Sequence, residues 1–578
     1  MCAAFQSTVR RDPDKIAVRT LGDGPSLTFR QWDERVRALA AGFAGLDVIR
    51  GDTVALMMTN RPEFYPIDVA LQHLGAIAFS VYNTSSPEQI QYLLNDSGAR
   101  VVVCESQFAP MLVASKPDTV TVVCIDDVSP GTVSIDSVAA QGDPGFDFES
   151  TWRAVQPGDV LTLIYTSGTT GDPKGVQLTH ANMLAMVDAT EQLMRITPAD
   201  RLLSFLPSAH AADRWTGLYT LQVVGDQVTT VADRTALLPA LVDVRPTVFG
   251  AVPQVWQKLK AGIESKLAEA TGAKGALAQW ALKVGREASD ARLDGRSPSL
   301  STSLQERAAD TLVLSKLRAA IGLNDLSLAI SGAAPIAPEV LRFFNGLGIP
   351  VSDAWGMSEV SGMGTISPPG TVRVGTVGKV LPGNTIKIAD DGEVLVRGPI
   401  VMKGYLNKPD KTAEAIDTDS WLHTGDIGRL DADGFLEIVD RKKELIINAG
   451  GKNMSPANIE NWIKAFSPLI GQAVAIGDNR KYNVALISLD PDSAAAYAAK
   501  TGLIAEPAVL AKDPAVHVLI EQAVSQANAK LSRVEQIKKF TIVEEFWEPG
   551  SDMLTPTMKL RRKPINDRYS TTIEQMYR

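Results

Sequence analysis

Cysteine and histidine are scarce: three Cys (Cys2, Cys104, Cys124) and five His in 578 residues. Numbers so small and positions so scattered exclude a disulfide framework and a spaced zinc site. They fit a reducing, cytoplasmic interior. Long apolar runs are missing too. No stretch reaches the roughly 18 residues that a membrane-spanning helix needs. Residues 1–7 lack both the basic start and the apolar stretch of a secretory signal. Peripheral attachment to the inner face of a membrane, and a homodimer, stay open. A strong excess of one charge is also absent. Lys+Arg 57 stand against Asp+Glu 66, for a net charge of −9. No overall basic field argues for nucleic acid as a partner.

What is present is an ordinary globular composition, 45% hydrophobic and 21% charged, in a chain too long for one core. Up to residue 124, helical patterns alternate with short apolar runs. Residues 30–46, 64–74 and 87–96 read as helices, and 53–58, 76–81 and 101–104 as strands. The alternation continues at 202–206, 227–231, 248–252 and 326–330. It predicts an α/β fold of parallel strands buried by helices. Residues 254–320 interrupt it as a helical insertion. Trp256, Leu259, Ile263 and Leu267 share one helix face, Gly272 closes that helix, and residues 294–303 form an exposed loop. Residues 375–440 are punctuated by glycine and rich in strands. The domain expectation is therefore residues 1–440 as a large unit of layered α/β subdomains with a small β unit. Residues 441–578 follow as a small α+β domain.

One stretch carries unusual chemistry: Tyr165-Thr166-Ser167-Gly168-Thr169-Thr170-Gly171-Asp172-Pro173-Lys174-Gly175. It follows a buried strand, residues 160–165. Its glycines admit a close ligand, and its hydroxyls and lysine suit a polyphosphate. A Walker loop fails on spacing. It would need Gly where Pro173 stands and Ser or Thr after Lys174, where Gly175 stands. A flexible polar turn accounts for the Gly and Asp-Pro content but not for so many hydroxyls.

This stretch resembles the phosphate loop of the acyl-adenylate-forming superfamily, which includes acyl-CoA synthetases and adenylation domains. Further segments match that family's motifs in the same order: Ser331-Gly332-Ala333-Ala334-Pro335, Asp353-Ala354-Trp355-Gly356-Met357-Ser358-Glu359, Trp421-Leu422-His423-Thr424-Gly425-Asp426, Asp440-Arg441-Lys442-Lys443-Glu444 and Leu554-Thr555-Pro556-Thr557-Met558-Lys559. The resemblance implies a ligase that uses ATP with Mg²⁺ to join an acid to AMP and then passes the acyl group to coenzyme A. It also implies that the small C-terminal domain is mobile.

Site roles follow from the same resemblance. Thr166, Ser167, Gly168, Thr169, Thr170 and Lys174 would hold the β- and γ-phosphates, and Glu359 with Thr166 the metal. Gly332, Ala333 and Ala334 would face Trp355, Gly356, Met357 and Ser358 across the adenine. Trp355 stands where the family more often has Tyr, so a stacking face is kept and a hydroxyl lost. Asp426 and Arg441 would take the ribose. Lys559 would be the catalytic cation, and His210 would line the acyl and pantetheine path. Lys443 is the implied hinge, and Gly450, Gly451 and Lys452 the implied CoA path. Composition alone offers other readings. Glu359 is also a fitting helix-start acid, Lys559 lies in the charge run Arg561, Arg562 and Lys563, and a lone His is often structural.

The helical insertion and Ser204-Phe205-Leu206-Pro207 look like long-chain fatty acyl-CoA synthetases. Val252-Pro253-Gln254-Val255-Trp256 is similar to the bubblegum type of long- and very-long-chain enzymes. That likeness puts Trp256 in the acyl pocket. A fatty acyl-AMP ligase delivering to a carrier protein and a non-catalytic nucleotide-binding protein remain the alternatives.

Overall fold

A computed structural model of the chain describes residues 1–126, 128–166, 172–368, 370–449, 452–555 and 558–578. Its largest sheet has eight strands in the order Gly404–Tyr405, Lys174–Thr179, Val160–Thr166, Ile77–Ser80, Thr53–Met57, Val101–Cys104, Thr121–Cys124 and Val133–Ser134. From Val160–Thr166 onward in that order the neighbours pair in parallel. Strands buried on both faces explain the near-continuous apolar runs in the sequence. Val160–Thr166 also pairs antiparallel with Lys174–Thr179, so the polar stretch connects two paired strands.

A second sheet lines up Val248–Ala251, Leu328–Ser331 and Val351–Trp355 in parallel, then two short antiparallel strands. The motif residues Gly332 to Ala334 and Gly356 to Glu359 follow the carboxyl ends of its central strands. Such ends are where open α/β sheets bind ligands. An antiparallel unit, Thr385–Ile388, Glu393–Arg397, Leu422–Leu430 and Leu436–Arg441, stands beside it. The expected helix Phe64–Leu74 and strands Val101–Cys104, Thr385–Ile388 and Glu393–Arg397 have the boundaries read from the sequence.

The helical insertion differs from its sequence reading in two places. Gly272 does not close the first helix, which ends at Ala268; it opens a second, Gly272–Leu293. That helix is rich in Ala and Gly, so its buried side shows no row of large apolar residues. Small residues serve close packing instead: a Cβ on Gly285 would lie 2.2 Å from the Gly346 carbonyl oxygen of helix Pro338–Gly346. The exposed loop is also shorter than expected. Ser299 accepts a hydrogen bond from the Thr302 N–H and starts helix Leu300–Ala309. Serines that suggested a loop are a helix cap.

After Arg441 the chain builds cores of its own. Ile470–Ile476, Asn483–Leu489 and Ile537–Ile542 form a sheet. Helices Pro456–Ala465 and Pro514–Asn528 pack in one apolar cluster with it, and the C-terminal helices in another. Lys258 reaches across from the helical insertion to Asp492 at 2.7 Å.

Asp226 makes the fold sensitive to pH. It is fully buried, and no donor from another described residue reaches either carboxyl oxygen. Burial pushes this carboxyl up to about 7. The folded chain therefore keeps a proton that the unfolded chain has lost. Its stabilising share is complete below about pH 4 and is lost as pH rises through about 7. Asp226→Asn, which never ionises, should be the more stable protein at pH 8 by on the order of 2–4 kcal/mol. Melting curves at pH 8 and pH 5 should show that gap narrowing at the lower pH.

Candidate active site

The phosphate-type turn is described at its two ends; Ser167, Gly168, Thr169, Thr170 and Gly171 lie outside the described residues. Thr166 ends its strand with its hydroxyl 3.5 Å from the Lys174 carbonyl oxygen. Lys174 opens the return strand, its ammonium 4.2 Å from the centre of the Tyr405 ring. The Tyr405 hydroxyl donates to Glu359 Oε1 at 2.8 Å. Burial, then the Glu359 carboxylate, pushes the Tyr405 phenol well above its usual range. So it stays protonated and can donate. Tyr405 thus joins two motifs distant in sequence. Nothing in Gly404-Tyr405 signals this, because the role comes from strand pairing across the sheet edge.

Glu359 lies in a short 3₁₀ turn, Ser358–Val360, and is buried. Its backbone carbonyl accepts the Met402 N–H, and Ser361 Oγ donates to the Ile400 carbonyl. The turn is therefore tied down at both ends. Gly356 is required by packing, since a Cβ there would lie 2.2 Å from the Gly362 carbonyl oxygen. Met357 and Ser358 are half-buried beside it. Facing them, Gly332, Ala333 and Ala334 leave the neighbouring strand. Ala333 takes φ 69°, a left-handed conformation that costs a non-glycine residue energy. Asp353 sits beneath both segments, where burial raises its carboxyl well above the usual range despite the Ile336 and Ala354 N–H groups.

Trp355 answers the question posed by its replacement of Tyr. Its indole Nε1 donates to Asp426 Oδ2 at 2.7 Å. The other oxygen of Asp426 meets Arg441 Nε at 2.8 Å, Asp426 and Arg441 being partners across two antiparallel strands. Burial raises the Asp426 carboxyl, while Arg441, Trp355 and Lys559 pull it down. The indole thus supplies a donor in place of the missing hydroxyl. The sequence showed the stacking face but not this bond.

Lys559 enters the same cleft from the C-terminal domain. It is exposed to the solvent in the cleft, although protein encloses that cleft deeply. Dehydration first and Arg441 second pull its ammonium below the usual lysine range, against Asp426, Glu359 and Glu444. Thr555 Oγ1 accepts the Lys559 backbone N–H, and Met558 at φ 67° turns the chain. Three residues on, Arg562 pairs with both Glu460 oxygens at 2.6 and 2.9 Å and with Glu444 at 3.1 Å. The charge run is therefore not simply a solvated face; Arg562 clamps the segment that presents Lys559.

His210 lies across the cleft and feels the Lys559 charge. Burial and then Lys559 lower its imidazole to about 4. Its Nδ1 accepts the Ala212 N–H at 3.2 Å and caps the helical segment that follows. A neutral ring with Nδ1 occupied presents Nε2–H to its surroundings. The Ser208 carbonyl just before it accepts from Arg214, a guanidinium buried completely with Asp68.

Some expected residues are elsewhere. Trp256 does not line an open pocket: it is fully buried, donates Nε1–H to the Ile330 carbonyl at 3.2 Å and packs edge-on against Phe249 and Phe344. It is a core residue of the layer behind the second sheet. Trp256, Leu259, Ile263 and Leu267 form the buried face of a packed helix. Lys452 is exposed on the hairpin of Ile446–Ile447 and Asn453–Met454 in the small domain, its N–H donating to Asn448 Oδ1. Gly450 and Gly451 lie outside the described residues. Lys443 is exposed just past the strand Leu436–Arg441, while its neighbour Lys442 pairs with Asp391 and Glu393.

The AMP-binding enzyme family matches residues 5–406, and the AMP-binding enzyme C-terminal domain matches residues 443–578. A protein of Mycobacterium tuberculosis that bears the name fatty-acid–CoA ligase fadD11 is 58% identical over 452 residues, 78% of this chain and 79% of its own. The long-chain-fatty-acid–CoA ligase ACSBG2 of Gallus gallus is 33% identical over 99% of this chain and 80% of its own. Among solved structures, the anthranilate CoA ligase AuaEII with anthranoyl-AMP shares the fold at TM-score 0.74 and 19% identity, over 99% of this chain and 98% of its own. With two family profiles spanning nearly the whole sequence, the chain belongs to the AMP-binding enzyme family.

Proposed function

We propose that the chain is a long-chain fatty acid–CoA ligase acting in two steps through acyl-AMP. The observation that carries this reading is the meeting of Lys559 from the small domain with Glu359, Asp426–Arg441 and His210 from the large one. A carboxylate is a poor acyl donor, and its attack on ATP brings two anions together. Catalysis then rests on positioning and fixed charge. Lys174 and the turn from Thr166 hold the β- and γ-phosphates. Asp426, oriented by Trp355 and Arg441, accepts from the ribose hydroxyls, and Trp355 with the Gly332 to Ala334 turn brackets the base.

The acid's oxygen attacks the α-phosphorus, pyrophosphate leaves, and Lys559 stabilises the charge between them. Glu359 and Thr166 offer one carboxylate and one hydroxyl beside Lys174, a hard-oxygen set that suits Mg²⁺ shared with phosphates. When bound, that ion neutralises phosphate charge. In the second step the CoA thiol attacks the acyl carbon and AMP leaves. A swing of the small domain about Lys443 withdraws Lys559 and brings in the hairpin of Lys452.

The test is ATP- and CoA-dependent AMP formation against saturated acids of increasing length. Long-chain acids should be preferred, with acyl-CoA as product. Activity confined to short or aromatic acids would overturn the chain-length reading, and acyl-AMP accumulation unaffected by CoA would favour a carrier-protein acceptor. Trp355→Phe keeps a ring but removes the donor to Asp426. A hydrogen bond to a charged group is worth about 1.5–3 kcal/mol, so KM for ATP should rise about tenfold or more. Trp355→Tyr, which restores a hydroxyl, should recover part of that loss in the same ATP titration.

A further inference from the structure

The helical insertion carries an apolar row that the fold leaves uncovered. Along Leu300–Ala309 and the π-turn Asp310–Leu314 that continues it, Leu300 is 87% exposed, Leu304 66% and Leu312 48%. With exposed Ala308 they recur every fourth residue, over about 18 Å of helix. The fold uses the other side of this run, where Ala309 and Leu314 are buried with the helix Gly272–Leu293. The exposed leucines therefore have no structural task.

Charge on the insertion indicates what covers them. Residues 254–320 hold eleven basic and seven acidic side chains, in a chain whose net charge is −9. Six of those carboxylates, Glu264, Glu287, Asp290, Asp294, Glu306 and Asp310, are in ion pairs. Among the described residues, Lys266, Lys274, Arg307 and Lys316 then stand without an ion-pair partner, against Glu269 alone. Arg307 and Lys316 are exposed on the same run as the leucines. An apolar row flanked by unpaired cations fits the interface of an anionic bilayer, where leucines enter the acyl boundary and cations meet lipid phosphates.

We propose that this face docks the protein on anionic lipid membranes, the phase that concentrates a long-chain acid. The benefit to substrate supply rests on the ligase reading; the docking does not. Sedimentation of the whole protein with phosphatidylcholine vesicles, with and without phosphatidylglycerol, tests it. Binding should require phosphatidylglycerol and weaken with salt. Leu300→Glu/Leu304→Glu should lower the bound fraction about tenfold or more, and Arg307→Glu/Lys316→Glu should remove the preference for phosphatidylglycerol. Both variants should release AMP from a soluble short acid at the wild-type rate without vesicles, which reports an intact fold. A wild-type protein that stays in the supernatant overturns the proposal, as does a leucine variant that pellets equally well. A dimer in sedimentation velocity that the leucine changes dissolve, without vesicle binding, assigns the face to a second copy instead. If vesicles bind but no acid releases AMP, the ligase reading fails and the docking stands.

Discussion

Lys559→Ala should lower acid-dependent pyrophosphate release by about a thousandfold or more, the scale of losing one preorganised charge at a reacting centre. The fold should survive, because the Lys559 ammonium faces the cleft and forms no ion pair among the described residues, while Arg562 holds the segment through Glu460 and Glu444. Transfer of a preformed acyl-AMP to CoA should continue at nearly the wild-type rate, because the proposed swing of the small domain withdraws Lys559 for that step. Loss of both half-reactions together would instead mean that the substitution disturbs the whole cleft. The pH profile offers an independent check. A cation that must be charged fails as pH rises, and dehydration with Arg441 nearby lowers the pH at which Lys559 loses its proton. The alkaline limb of kcat/KM for adenylation should therefore fall below the range of a free lysine. Lys559→Arg, charged throughout, should move that limb upward even if its rate is lower.

Most of this cleft could be read in the sequence because its parts are local. The turns after the strands Val160–Thr166, Leu328–Ser331 and Val351–Trp355 carry their glycines, hydroxyls and acids within a few residues of one another. What joins them could not be read. Tyr405 reaches Glu359 and Lys174 only through pairing of Gly404–Tyr405 with the sheet edge. By sequence Arg562 is one member of a basic run, and only the fold sets Glu460 and Glu444 against it. The strands were legible by apolar content and the helix Phe64–Leu74 by its length and buried face. The helix Gly272–Leu293 was missed for the opposite reason, since Ala and Gly make its contact face. Trp256 shows the limit of periodicity. A stripe at helical spacing says that a face is buried, but not whether a core or a ligand covers it.

The same limit hid Arg214, which a sequence pattern reports only as one more charge on a helix. Its guanidinium and the Asp68 carboxylate, both fully buried, meet at 2.7 Å. The guanidinium also donates to Ser80 Oγ at 3.0 Å, the Tyr219 hydroxyl at 3.2 Å and the Ser208 carbonyl at 3.1 Å. It begins a π-helical turn, Arg214–Tyr219, of the kind found at functional sites. Removing one partner leaves a buried charge uncompensated, so Asp68→Leu should cost about 3–5 kcal/mol and, in a unit of this size, lower the melting temperature by roughly 3–5 °C. The double change Asp68→Leu/Arg214→Met removes both charges and should recover much of that loss, because apolar packing replaces a dehydrated pair. Activity should not recover with it. Without Arg214 the Ser208 carbonyl loses its anchor, and His210 two residues on is no longer fixed across from Lys559. KM for the acid should stay raised about tenfold in the double variant while its melting temperature returns toward the wild type, a loss of about 1.4 kcal/mol in binding. Full recovery of both would make the pair a matter of packing alone. Recovery of stability without recovery of KM makes it the support on which the acyl side of the cleft is built.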